Sequence, residues 1–289
     1  MPDDVHFRIG ADRISAQPVE PGLYLVATPI GNLRDVSLRA LDVLARADVV
    51  ACEDTRTTKV LLQRYGLDRP RVSYTEHNAD ARGHELLARV EGGEVVALVS
   101  DAGTPLVSDP GTRLVAQARE RSLRVFPVPG PAAPIAALVG SGLGGGAFLF
   151  HGFLPPKEKA RADTLERLAG ERATLVFFES PARLAASLGA MRDAFGEERR
   201  ACVAREITKR FETFHRGTLG ELTDTFGRER PRGEIVVVVE GGEERAPDAE
   251  ATLRDLLQEH TASRAAALAA KATGRPKREL YAMALEMKA

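Results

Sequence analysis

At 289 residues the chain has room for two domains of ordinary size, each with its own core. Forty Lys and Arg against forty-one Asp and Glu leave a formal net charge of -1, so no global field draws it to nucleic acid or an acidic membrane, and a polyanion must be met by a local basic patch. Two cysteines, Cys52 and Cys202, sit in apolar strand-like runs and read as buried reduced thiols, which argues against a disulfide or metal framework.

The N-terminus lacks the basic-then-apolar order of a signal peptide, so residues 1–20 are expected to form a flexible tail on a cytoplasmic protein. From residue 22, short β-branched runs alternate with helical patterns. GLYLVAT reads as a strand, VSLRALDVLARA as a helix capped by Asp35, and DVVACE as a strand. TTKVLLQRYG, ADARGHELLARV and TRLVAQARERS then read as helices separated by the strands RVSY, EVVALVS and LRVFPV. This predicts an α/β domain over residues 21–130, with a mainly parallel sheet between helices.

A second series follows PGPAAP: FLFHGF, the helix KEKARADTLERLAGER, TLVFFES, PARLAASLGAMRDAF, RACVAREI, TFHRGTL and EIVVVVEG. Its later strands are joined by short turns as well as helices, which predicts a second α/β domain over 131–241 with a mixed sheet. GGEERAPDAE is a polar linker, and residues 250–289 read as two or three short helices. Ala270 and Gly274 there have the spacing of a helix-turn-helix turn, followed by RPKR; a hairpin packed on the body fits equally well.

Val125 to Pro156 carries no charged residue, but its six prolines and seven glycines exclude a membrane-spanning helix. It is expected to form buried loops around a ligand. Within it, GSGLGG matches the dinucleotide glycine pattern in the wrong context, after a helix and before a strand. No phosphate-gripping P-loop and no G-x-S-x-G serine elbow occur, and the six histidines show no zinc spacing, so no metal is expected.

SDAGTPLVSDPG, residues 100–111, leaves the carboxyl end of EVVALVS, where open α/β sheets bind ligands. Its glycines admit close backbone approach, but its aspartates are wrong for a phosphate and right for a ribose diol, an ammonium or a sulfonium. That combination points to S-adenosylmethionine. Asp101 is the expected contact, while Asp109 reads equally well as a turn or cap residue. VATPIGNL and VPGPAAP leave two further strand ends and are expected to converge with it on one cleft.

TPIGNLRDVSLRAL, ACEDTRTTKVLL, SDAGTPLVSDPG, VPGPAA, HGFLP, TLVFFESPARL, AREITKRFETFHRGTL and GEIVVVVEG, in this order, resemble the bacterial 16S ribosomal RNA ribose 2'-O-methyltransferases, a branch of the tetrapyrrole methylase superfamily. The likeness spans about residues 20–241, and the tail resembles the C-terminal helices of those enzymes. It implies S-adenosylmethionine between two α/β domains, a homodimer, and methylation of a cytidine ribose in the decoding region of the small subunit. Carried over motif by motif, Ile30, Asp101, Ala102, Gly103, Thr104, Ala132 and Ala133 would line the cofactor from the first half, and Phe178, Ala204 and Ile235 from the second. Many relatives have serine where Ala132 stands, which removes one side-chain hydrogen bond.

Removing the hydroxyl proton calls for a carboxylate or a lysine of lowered pKa. Two charged clusters after strand ends offer candidates: Glu53, Asp54 and Arg56 with Lys59, and Glu206 and Lys209 with Arg205, Arg210 and Glu212. Solvated ion pairs explain such runs equally well, and Glu76 and His77 are a further pair. For RNA, Arg34, Arg39, Arg56, Lys59 and Arg64 form one basic group and Lys157, Lys159 and Arg161 another. A tetrapyrrole C-methyltransferase and a non-catalytic S-adenosylmethionine-binding ribosome-assembly protein stay open as alternatives.

Overall fold

The computed structural model describes residues 5–107, 111–229, 231–242 and 249–287. The chain opens with an antiparallel hairpin, β1 (His6–Ile9) and β2 (Asp12–Ser15). This corrects the expectation of a flexible tail for these residues. Phe7 is 1% exposed in the first domain's core, and the Arg8 N–H donates to Tyr65 O at 2.7 Å.

β3 (Gly22–Val26), α1 (Leu38–Arg46), β4 (Val49–Cys52), α2 (Thr55–Arg64), β5 (Arg71–Ser73), α3 (Ala79–Glu91), β6 (Val95–Val99), α4 (Thr112–Glu120) and β7 (Val125–Val128) then alternate. Their strands form one wholly parallel sheet in the order β5-β4-β6-β3-β7. The two-residue period of a strand divides their side chains between two cores. Tyr24, Val26, Val50, Ala97 and Val99 pack with Leu41 and Leu44 of α1 and Leu62 of α2. Leu23, Val49, Ala51, Val96 and Leu98 pack with Leu86 and Leu87 of α3 and Leu114 of α4.

Ser37, not Asp35, caps α1, its hydroxyl accepting the Ala40 N–H at 3.1 Å, because Asp35 is taken up in a short 3-10 turn. α4 starts after Gly111, at φ 135, which only glycine adopts comfortably. Asp109 lies outside the described residues.

The second half comprises α5 (Ala133–Ser141), β8 (Phe148–Phe153), α6 (Glu158–Leu168), β9 (Thr174–Glu179), α7 (Leu184–Phe195), β10 (Arg200–Arg205), β11 (Thr213–Thr218), α8 (Leu219–Arg228) and β12 (Ile235–Val239). The sheet order is β11-β10-β12-β9-β8, with β8 and β9 parallel and the other pairs antiparallel. One face packs on α6, α7 and α8 through Leu165, Leu188 and Leu222. The other, with Val176, Cys202, Ala204 and Val236, takes Ala137 of α5 and also Ile30, which the loop after β3 inserts from the first domain. That buried isoleucine, 6% exposed, fixes one domain against the other.

The stretch expected as buried loops around a ligand therefore holds β7, α5 and β8 as well, and α5 exposes Ile135 and Val139. GSGLGG ends α5, with Gly142 in the left-handed region as its C-cap. In the tail, α9 (Ala249–Glu259), α10 (Ala262–Thr273) and α11 (Lys277–Glu286) close on their own core of Leu253, Ala265, Ala269 and Leu280. Gly274, at φ 69, makes the turn between α10 and α11. Among the described residues no helix is long and apolar enough to cross a membrane.

Candidate active site

The three loops after β3, β6 and β7 meet. Thr28 and Gly103 exchange backbone hydrogen bonds at 2.8 and 3.0 Å, and Thr104 Oγ1 donates to Pro131 O at 3.0 Å. The Ser100 hydroxyl donates to Gly103 O at 2.9 Å, and Thr28 Oγ1 donates to Ser100 O at 3.1 Å. Gly103 turns at φ 87, and a Cβ there would approach Ile30 Cγ2 to 3.3 Å. The glycine thus lets the loop lie directly on the isoleucine that joins the domains.

Beside this junction lies a cavity of about 390 Å³, walled by Ile30, Ala102 to Thr104, Val107 and Ala132 to Pro134 of the first three loops and by Phe153, Phe178 to Pro181, Ile207 and Gly233 to Val236 of the second half. No lysine, arginine or histidine is in that wall, which disfavours a phosphate-bearing ligand and suits a cationic one with a flat apolar body. The Glu179 carboxylate, 3% exposed, is held by the Ser180 N–H at 2.8 Å and the Ser187 hydroxyl at 2.5 Å. It braces the E-S-P turn.

A second cavity of about 320 Å³ adjoins the first, and Ile30, Ala102 and Glu234 line both. Its other walls are Thr28, Pro29, Gly31 and Leu33, then Thr57, Thr58, Val60 and Leu61 of α2, Ser100 and Asp101, and Lys209. Lys209 Nζ sits 2.9 Å from Glu206 Oε1 and 3.1 Å from Glu234 Oε2. Burial pulls the Lys209 pKa down, but the two carboxylates outweigh it and leave it raised; the Lys209 hydrogen bond holds Glu206 low. A lysine of lowered pKa is therefore not what this site contains, because two carboxylates surround the ammonium.

The backbone that delivers this lysine is unusual. Glu206 and Thr208 both lie in the left-handed region, at φ 53 and φ 66. The Thr208 hydroxyl accepts the Asn32 N–H at 3.0 Å, across the domain junction. A Cβ on Gly31 would stand 2.5 Å from Lys209 Cγ, so only glycine there lets the two loops close.

Eight of the ten residues expected at a cofactor, Ile30, Ala102, Gly103, Thr104, Ala132, Ala133, Phe178 and Ile235, line the first cavity. Asp101 lines the second, and its Oδ1 accepts the Asp54 N–H at 2.9 Å. Ala204 is fully buried opposite Val236 and backs the wall without forming it. Of the charged candidates, Lys209 is at the second cavity with Glu206 behind it. Asp54 caps α2 and grips Arg56 at 2.7 Å, and the Arg56 side-chain hydrogen bond lowers Asp54 to about 2. Glu53, Arg56, Glu76 and His77 line neither cavity and are exposed. Arg161, read as part of a basic surface, is 8% exposed within α6.

Glu234, Gly233, Ile207, Thr57 and Thr58 line the cavities without having been expected there. The REIT and GEIV motifs that contain or adjoin three of them were visible, but only the β10–β12 pairing brings the two ends together. Among the described residues no group of His, Cys, Asp and Glu is placed to hold a metal ion.

The family model for tetrapyrrole (corrin/porphyrin) methylases matches residues 22–223, which supply most of the two-domain body and every wall residue of the two cavities except Gly233 to Val236. The chain belongs to the tetrapyrrole methylase family. A second model, described as an RsmI C-terminal HTH domain, matches 243–288. Within this methylase family the chain is 55% identical over 97% of both chains to a protein of Mesorhizobium japonicum named ribosomal RNA small subunit methyltransferase I. A protein of the same name from Pseudomonas aeruginosa is 48% identical, over 91% of this chain and 96% of that one.

Solved structures share the fold at low identity. A cobalt precorrin-4 methyltransferase superimposes with a TM-score of 0.57 at 17% identity, over 75% of this chain and 94% of that one. The uroporphyrin-III C-methyltransferase of Thermus thermophilus, complexed with S-adenosyl homocysteine, does so at 0.54 and 21% identity, over 76% of this chain and 97% of that one.

Proposed function

We propose that this protein is an S-adenosylmethionine-dependent methyltransferase of small-subunit ribosomal RNA, that it methylates the 2'-hydroxyl of a cytidine ribose in the decoding region, and that it works in the cytoplasm as a homodimer. The observation that carries this reading is the 55% identity to a ribosomal RNA small subunit methyltransferase I along 97% of both chains. A cavity at the domain junction with no cation in its wall supports the cofactor, and Arg56, Lys59 and Arg64 on α2 with Arg34 in the loop after β3 support the polyanion.

Ile30, Ala102 to Thr104, Ala132, Ala133, Phe178 and Ile235 would hold the cofactor, with Asp101 of the second cavity, next in the chain to the shared wall residue Ala102, touching its cationic end. When bound, the cofactor supplies a methyl group already activated on a sulfonium. The chain then has to orient the hydroxyl, keep the domains closed and take up one proton. Lys209, fixed as an ammonium by Glu206 and Glu234, stabilises negative charge growing on the acceptor oxygen. Glu234 Oε2 is engaged by Lys209, leaving Oε1 to accept the hydroxyl proton and pass it to water, since this side chain is 71% exposed. Glu206 acts through Lys209 and is a positioning residue.

Exposed apolar side chains support the homodimer: Ile135 and Val139, four residues apart on α5, are 43% and 76% exposed. The test of the function is transfer from methyl-labelled S-adenosylmethionine to unmethylated 30S subunits, naked 16S RNA or a tetrapyrrole precursor. Label on a cytidine 2'-oxygen of 16S RNA is expected. Label on the tetrapyrrole instead, or binding with no transfer, would overturn the reading.

A further inference from the structure

The two cavities differ in chemistry as well as position. The first is mainly apolar, with Glu179 and Glu234 and no cation in its wall, whereas the second mixes Leu33, Val60 and Leu61 with the hydroxyls of Thr57, Thr58 and Ser100 and with Asp101 and Lys209. They share Ile30, Ala102 and Glu234, so ligands seated in both meet at that partition. A group-transfer reaction needs such contact, with reacting atoms about 3–3.5 Å apart.

Two cations adjoin wall residues of the second cavity in the chain. Arg34 follows the wall residue Leu33, and Lys59 lies between Thr58 and Val60; both are exposed, and neither has an ion-pair partner among the described residues. Exposed cations next in the chain to the walls of such a mixed pocket suit the phosphates on either side of one nucleotide. A volume of about 320 Å³ falls at the small end of the range for ligand pockets, enough for a single nucleoside and too little for a stacked pair.

We infer that the second cavity receives one unstacked ribonucleoside of the RNA strand, the nucleoside whose ribose hydroxyl takes the methyl. This rests on the RNA methyltransferase reading above. A base inside a stack cannot reach a pocket between two domains, so the nucleotide enters extruded from its neighbours. Its base lies against Leu33, Val60 and Leu61, its polar edge meets the α2 hydroxyls, and its ribose stands at the Ile30–Glu234 partition beside Lys209. Arg34 and Lys59 hold the flanking phosphates.

Two measurements test this on the full chain. With the photoreactive residue p-benzoylphenylalanine in place of the exposed Val60, irradiation of the complex with unmethylated 30S subunits is expected to attach the protein to the nucleotide that becomes methylated or to its immediate neighbour. Thr57→Trp, which fills the pocket from an exposed position, is expected to lower kcat/KM for RNA by about 100-fold while the S-adenosylmethionine Kd stays within about twofold.

Attachment elsewhere or none, or a Thr57→Trp protein with wild-type kcat/KM, overturns the inference. Should Thr57→Trp not fold, the attachment site alone decides. If the wild-type protein transfers no label to RNA at all, it is the functional reading that fails, and the two failures are thereby told apart.

Discussion

The Asp101 carboxylate accepts the backbone N–H of Asp54 across 2.9 Å, joining the loop after β6 to the N-cap of α2. The loop expected to meet a cofactor is thus tied to the helix that walls the second cavity. Asp101→Ala removes a charge-assisted bond and is expected to lower stability by about 1–2 kcal/mol in thermal melts. It should also weaken S-adenosylmethionine binding by about tenfold in calorimetry. Asp101→Asn keeps an acceptor oxygen for Asp54, so it should recover the stability and not the affinity. Unchanged affinity in Asp101→Ala contradicts a cofactor contact here.

The Glu206–Lys209 pair makes a pH prediction. Lys209 holds the folded-state pKa of Glu206 below its ordinary value, so in acid the unfolded chain binds more protons than the folded one. The stability from Glu206 is complete above the unfolded value of about 4.3 and is lost as pH falls through the folded value. Lys209 is shifted up, so its contribution is complete below the unfolded value of about 10.4 and is lost as pH rises through the folded one. The gap in urea midpoint between wild type and Glu206→Gln should be constant from about pH 6 to 8 and close in acid. A gap that stays constant into acid means that the pair does not stabilise the fold.

RNA binding through a local patch on a neutral protein has a salt signature. Arg34→Gln and Lys59→Gln should each weaken 30S binding and reduce the slope of log K against log salt by about 1, with little effect on S-adenosylmethionine affinity. Slopes equal to wild type in both variants place the phosphate contacts elsewhere.

Val139 is 76% exposed on α5, one helical turn from Ile135. A charge there is tolerated by the monomer and not by an apolar interface. Val139→Asp is expected to sediment as a folded monomer where the wild type sediments as a dimer. If the two sediment alike, this face is not the dimer contact.

Much of the architecture was legible. Strands such as EVVALVS and IVVVV are apolar on both faces, which marks parallel or central strands covered by helices, and they occupy the middle of their sheets. The three loops at strand ends were legible for the same reason, since their glycines and prolines punctuate the pattern. α8 escaped notice although its capping box, Thr218 with Glu221, was written in the chain. The β1–β2 hairpin carried no such signal, because only Phe7 of its residues is buried. At the site, Glu234 was hidden because it reaches Lys209 through strand pairing across 25 residues of chain, where it joins Glu206 in raising the Lys209 pKa.

The most direct measurement is the fate of a labelled methyl group. Wild-type protein, methyl-labelled S-adenosylmethionine and unmethylated 30S subunits are incubated together, and the RNA is digested and resolved by nucleoside mass spectrometry. The expected result is one labelled 2'-O-methylcytidine from the decoding region, absent when Lys209→Met replaces the wild type. Label on a base or on a tetrapyrrole offered in competition, or none on any RNA ribose, would contradict it.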